Sequence, residues 1–109
     1  MDRFSKIGIL MKTGRPKKPR IIRKEPYIML FSPRGRIGRP GTLDIKHEEL
    51  EAIRLIDHVG LDQKGSAKFM GVSQQTFSRV LKSGRRRLAE ALVKGFIIRV
   101  SGGNFKIEK

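Results

Sequence analysis

Glycines divide the middle of this chain into segments suited to short helices. Between Asp44 and Gly95, apolar residues recur at near-helical spacing, and each run stops at a glycine. Leu50, Ile53, Ile56 and Val59 form the first run, with Glu48, Glu49, Glu51 and Arg54 between them and Gly60 as its stop. Asp62 is placed to cap a second, short helix through Ser66, Ala67 and Met70, ending at Gly71. Ser73 is placed to cap a third, which stays helical in pattern to about Lys94, with Gly95 just past its end. Helix, tight glycine turn, helix is the outline of a helix-turn-helix. The spacing sharpens it. Ala67, four residues before Gly71, is small where two helices must cross closely, and a tight turn at Gly71 requires the positive φ that glycine adopts freely. Met70, Val72, Phe77 and Val80 occupy the positions that face the core between the helices.

The third helix has two dissimilar faces. At about 100° per residue, Leu81, Gly84, Leu88 and Leu92 fall on the side of Phe77, flanked by Val80 and Ala91, which predicts the core stripe. Gln75, Ser78, Arg79, Lys82 and Arg86 fall on the opposite side. That face starts with amide, hydroxyl and guanidinium groups able to read base edges and continues with cations suited to phosphates. A merely solvated helix mixes both signs for i,i+4 pairing, yet Glu90 is the only acid between Ser73 and Lys94. Val93 also falls on the outer side, without a core to meet.

Charge points the same way. The chain of 109 residues carries 25 Lys+Arg against 10 Asp+Glu, a formal charge of +15, which calls for a polyanionic partner, nucleic acid before an anionic membrane surface. Residues 1–41 hold twelve basic and two acidic side chains and all five prolines, and so read as a basic arm that resists helix. Within it only Tyr27–Phe31 reads as a strand, and past the third helix Phe96–Val100 and Phe105–Ile107 flank a Gly102-Gly103 turn, a hairpin signal. The absence of cysteine excludes disulfides and thiolate zinc sites and fits a reducing interior. No apolar run approaches the ~20 residues of a membrane span, and the Ile7–Met11 run is too short for a signal-peptide core.

Several further stretches then fit one pattern. These are Glu51–Asp57, Gly60–Gln63, Met70–Leu81, Arg85–Leu92, Gly14–Arg20, the spacing of Pro26 to Phe31-Ser32-Pro33-Arg34-Gly35, and Gly102–Asn104. Together they resemble a widespread prokaryotic family of small, uncharacterised, predicted DNA-binding proteins. The helix-turn-helix of that family is similar to the C-terminal DNA-binding domain of bacterial sigma factors. The resemblance implies DNA binding and transcriptional regulation, with Gln74, Gln75, Thr76 and Arg79 facing the bases. Gly65 and Gly84 depart from it, standing where the family has a helix former and alanine; each costs helix propensity by about 1 kcal/mol. The family pattern begins near Gly14, so residues 1–11 read as an extension, with Met11 as an alternative start of translation.

The expected fold is mainly α: a three-helix core over about 43–94 with a sigma-like helix-turn-helix, plus a small β element of one N-terminal strand and a C-terminal hairpin. The expected organisation is a basic arm (1–41), a helix-turn-helix domain (42–95) and the hairpin (96–109). The apolar strands either pack on the helices, too small a core by themselves, or join two subunits as a homodimer. The base-reading candidates are Gln74, Gln75, Thr76, Ser78 and Arg79. Ser73, Lys82, Arg85, Arg86 and Arg87 are candidates for DNA phosphates, and Arg15, Lys17, Lys18, Arg20, Arg36 and Arg39 for arm contacts. The expected partner is double-stranded DNA in the cytoplasm, at the nucleoid. RNA binding at the ribosome and non-specific nucleoid packaging are the alternatives, the first disfavoured by six phenylalanines, one tyrosine and no tryptophan.

Other signals point to weaker chemistry. Gly14-Arg15-Pro16 and Gly38-Arg39-Pro40 resemble AT-hooks that lie in a narrow minor groove, but Thr13 and Ile37 replace arginine, and a phosphate-seeking arm explains them as well. The glycine-rich 35–41 stretch lacks the Gly-Lys-Ser/Thr of a phosphate loop. His47 and His58 lie eleven residues apart, unlike the i,i+3 or i,i+4 pairs of metal ligands. No cofactor, metal or catalytic constellation is expected, and the acids of the first helix read as keeping it off DNA or meeting a partner.

Overall fold

The computed structural model describes residues 19–26, 28–35 and 38–108. In chain order they form β1 (Arg20–Ile22), β2 (Leu30–Phe31), β3 (Thr42–Ile45), α1 (His47–Ile53), a wider i→i+5 helical turn (Arg54–Val59), α2 (Gln63–Met70), α3 (Gln74–Lys94), β4 (Ile97–Val100) and β5 (Phe105–Ile107). The fold is mainly helical with small β elements, as expected.

The capping residues set the helix boundaries. Asp62 accepts the Gly65 N–H at 2.7 Å, and Ser73 Oγ accepts the Thr76 N–H at 3.0 Å, so each helix start satisfies an otherwise orphaned donor. Gly60, Gly71 and Gly95 all take the left-handed conformation that ends a helix. Between the helices Ala52, Leu55, Ala67, Met70, Phe77 and Leu81 form the buried core, with Ile53, Ile56, Leu61, Val72 and Val80 packed against it. Gly71 has a second constraint besides its φ of +67°. Any Cβ there would lie 3.0 Å from Ile21 Cδ1, because β1 crosses directly over the turn.

Four features differ from the sequence expectation. First, α1 begins at His47 rather than near Asp44. Thr42–Ile45 instead pairs in parallel with β4, in the register Thr42↔Ile97 to Ile45↔Val100, and the helix starts once Glu49 Oε1 accepts the Lys46 N–H at 2.9 Å. Second, β4 and β5 form where expected but are not a hairpin. Both edges of β4 are taken, by β2 antiparallel and β3 parallel, so β5 pairs in parallel with β1. The Gly102-Gly103 turn is drawn onto the start of α1: Gly102 O accepts the His47 N–H, and Glu48 Oε1 accepts the Asn104 N–H at 2.7 Å.

Third, part of the stretch read as an arm is built into the body. Ile22, the last residue of β1, is 1% exposed, and the β2 strand shortens to Leu30–Phe31, Tyr27 lying outside the described residues. Fourth, Leu92 leaves the predicted core stripe and is 69% exposed, as is Val93 at 86%. The buried stripe steps from Phe77, Leu81 and Gly84 to Ala91, and a 21-residue helix of about 31 Å overhangs the short helices it packs on.

Gly84 is where α1 and α3 approach closest. A Cβ there would stand 2.9 Å from Glu49 Cβ and 3.1 Å from the Glu49 carbonyl oxygen. Gly84→Ala adds about 1 kcal/mol of helix propensity but forces two backbones apart, which costs roughly 1–3 kcal/mol. The expected result is a lower urea midpoint at unchanged m-value; a higher midpoint would contradict this packing.

Candidate nucleic-acid interface

α3 presents its outward face because α1 and α2 both pack on the opposite side. Gln75, Ser78, Arg79, Lys82 and Arg86 are all exposed, and no acidic residue interrupts them. From Gln75 to Arg86 is about 16 Å at the helical rise, a length that lies along a groove. Gln74 is also exposed at the first turn, whereas Thr76 is half-buried. Ser73 Oγ donates to Thr76 Oγ1 at 3.0 Å while capping the helix, and an Arg79 guanidinium nitrogen lies 3.5 Å from Thr76 Oγ1. Ser73, Thr76 and Arg79 are therefore one hydrogen-bonded cluster, in which Ser73 already serves the helix start.

A groove at this end of α3 gathers cations from three elements. Arg20 of β1, Lys68 of α2 and Arg79 of α3 line it together with Ser73 and Thr76. Sequence pattern assigns Arg20 to a separate arm and does not single out Lys68. The available signal for Lys68 is its place one turn before Gly71, where α2 must end beside the start of α3. Arg20 is held there by Glu48, at 3.4 Å from its Nε. Arg23 is held as well: its Nε donates to the Phe69 carbonyl at 3.0 Å at the C-terminal end of α2, its Cζ lies 5.6 Å from the Phe69 ring centroid, and its backbone N–H donates to Glu51.

The remaining cations divide. Lys82 and Arg86 are open to solvent on the outer face. Arg85 makes two hydrogen bonds to Asp57, at 3.1 and 2.6 Å. Arg87 turns toward β3, donating to the Asp44 carbonyl at 2.9 Å with Glu49 4.0 Å away. Both were named from the sequence as candidates for DNA phosphates, and in the structure each side chain also has a partner within the fold, 28 and 43 residues away in the chain. Arg39 is exposed, and Arg15, Lys17, Lys18 and Arg36 lie outside the described residues.

The acids of α1, read from the sequence as keeping the helix off DNA or meeting a partner, are buried. Glu48, Glu49 and Glu51 are 7%, 2% and 2% exposed. Each holds a different segment: Glu48 the C-terminal turn and Arg20, Glu49 Ser83 of α3, and Glu51 the Arg23 backbone and the Arg54 guanidinium. His47 stacks on Phe105 with centroids 4.2 Å apart, its Nδ1 2.9 Å from Gly102 O. None of these acids lies on the face that carries Gln75 to Arg86.

The model of the family described as "Protein of unknown function DUF134" matches residues 10–108. The chain belongs to this family. Among curated relatives, a UPF0251 protein of Methanococcus maripaludis (strain C7) is 39% identical over 99 residues, covering 90% of this chain and 76% of its own length. UPF0251 proteins of Caldanaerobacter subterraneus subsp. tengcongensis and Thermoanaerobacter pseudethanolicus are each 46% identical, covering 85% of this chain and 80% of theirs. The family thus spans archaea and bacteria. No solved structure matches the chain. Among the described residues no helix is long and apolar enough to cross a membrane.

The Asp57–Arg85 pair sets a pH dependence. Its hydrogen bond to Arg85, outweighing partial desolvation and helped by the charge of that guanidinium, holds the Asp57 carboxyl below the usual carboxylate range. A depressed carboxylate pKa means that the pair is intact above the ordinary range and is released as pH falls through the depressed value. The Arg85 Nε–H signal in 1H–15N spectra should therefore stay shifted through mildly acidic pH and move to the free-arginine position only below that range. Release at a higher pH would contradict the pairing.

Proposed function

We propose that this DUF134 protein is a sequence-specific double-stranded DNA-binding protein that regulates transcription at the nucleoid, with no enzymatic activity of its own. The observation that supports this best is the acid-free exposed stripe of α3, which puts Gln75, Ser78 and Arg79 first and Lys82 and Arg86 behind them. Glutamine and arginine make bidentate contacts to adenine and guanine in the major groove, and an HTH recognition helix enters that groove by its N-terminal residues. In this reading Arg20, Lys68 and Ser73 meet the backbone phosphates flanking the first turn, and residues 1–18 add sequence-independent attraction. Selection from random duplex identifies the site: a palindrome reports a homodimer, a single half-site a monomer. Absence of enrichment reports non-specific packaging, and preference for structured RNA over duplex reports the RNA alternative.

Reading and holding separate by mutation. Arg79→Ala should cost roughly 1–3 kcal/mol on the selected site and much less on random duplex. Arg86→Ala, two turns further along, should weaken both duplexes alike. The measurement is the ratio of specific to non-specific affinity at fixed salt; collapse of that ratio only in Arg86→Ala would refute the assigned register.

Residues 1–18 contain six basic side chains and one acid. Their deletion leaves β1 intact and should lower affinity for every duplex by a similar factor. The slope of log affinity against log salt should flatten by up to about 5, at ~0.9 for each phosphate that is no longer neutralised. An unchanged slope would show that this segment does not meet DNA.

A further inference from the structure

On the side of α1 turned away from α3 lies a cleft of about 420 Å³, within the size range of small-molecule sites. Its floor is Ile22, 1% exposed, and its walls include Pro26, Leu50, Ile53 and Val59. The charges of its described lining residues cancel. Glu51 and Arg54 are engaged with each other through two hydrogen bonds of 2.7 and 2.9 Å, and Lys24 and Glu25 have opposite signs. His47 and His58 complete the lining with imidazoles, and the His47 Nδ1 already faces Gly102 O. An apolar hollow with balanced charge stands out in a chain of net charge +15.

A second observation bears on the same cleft. The Arg54–Val59 turn is wound with i→i+5 hydrogen bonds, one residue wider than an α-helix, a rare distortion that occurs mostly as a single-turn bulge and frequently at functional sites. This turn lends Arg54, His58 and Val59 to the cleft, while its Asp57 reaches the other way to hold Arg85 on α3. We propose that the cleft binds a small, uncharged, mostly apolar molecule of one or two rings with a single hydrogen-bonding group, and that the wide turn links its occupancy to Arg85. A formally charged ligand would meet an apolar floor with no unbalanced counter-charge among the described lining residues, at a desolvation cost. The site does not rest on the DNA reading, since none of its described lining residues belongs to α3.

The test uses the full chain, 15N-labelled and free of DNA, titrated with 2-naphthol, with anionic 2-naphthoate and with cationic 2-naphthylmethylamine. Expected is a saturable shift of the Ile22, Leu50, Ile53 and Val59 amides with 2-naphthol, at least tenfold tighter than with either charged probe, with the Arg85 Nε–H moving in the same titration. Val59 is half exposed, so Val59→Trp, which fills the mouth, and Val59→Glu, which charges it, should both keep a dispersed spectrum and weaken 2-naphthol at least tenfold. No saturation with 2-naphthol, tighter binding of 2-naphthoate, or unchanged affinity in both variants overturns the site. Saturation at the cleft amides with an unmoved Arg85 signal overturns the link to α3.

Discussion

Three buried carboxylates on a single turn of α1 hold the molecule together. Carboxylates taken out of water need full compensation by hydrogen bonds or opposite charge, and Glu48, Glu49 and Glu51 each find theirs in a different part of the chain. Glu49 reaches Ser83 in the middle of α3. Glu51 reaches the backbone that follows β1 and the guanidinium of Arg54. Glu48 reaches the turn before β5 and the guanidinium of Arg20. Removing one partner of such a pair strands a charge at a cost of roughly 3–5 kcal/mol. The short helix that carries these acids is thus the point from which both ends of the described chain and the longest helix are positioned.

That arrangement has an electrostatic consequence. Among the described residues most acids meet cations of the fold: Arg20, Arg54 and Arg87 pair with acids of α1, Arg85 and Arg99 with Asp57 and Asp44, and Arg23 with Glu108. Lys82 and Arg86 are left facing outward on α3 with the polar side chains ahead of them. Sequestering the acids sets the sign of the exposed face, and Glu48 holds Arg20 at the groove beside Ser73. Gly84 contributes as well, because its missing Cβ lets α1 come close enough for Glu49 to reach Ser83.

The strands serve closure more than core. β1 and β5, from opposite ends of the described chain, pair in parallel, and β3 and β4 pair in parallel across all three helices. Such pairings depend on contacts distant in sequence. No hairpin signal announces them, and the turn at Gly102-Gly103, with the φ > 0 glycines that a hairpin also uses, is spent instead on wrapping the start of α1.

Local chemistry therefore determined the helices. Asp62 and Ser73 fix where α2 and α3 begin, and Gly60, Gly71 and Gly95 fix where helical winding stops, because caps and left-handed turns involve only residues within a few positions of one another. The periodicity of α3 likewise separated Phe77 and Leu81 from Gln75, Arg79 and Arg86, since a helix face follows from spacing alone. Strand partners, the exposure of Leu92, the inward turn of the α1 glutamates and the engagement of Arg85 and Arg87 were decided only by tertiary structure. Each depends on which distant groups arrive within hydrogen-bonding distance, and a linear pattern of residue types shows that a carboxylate is present but not which cation the fold will bring to it.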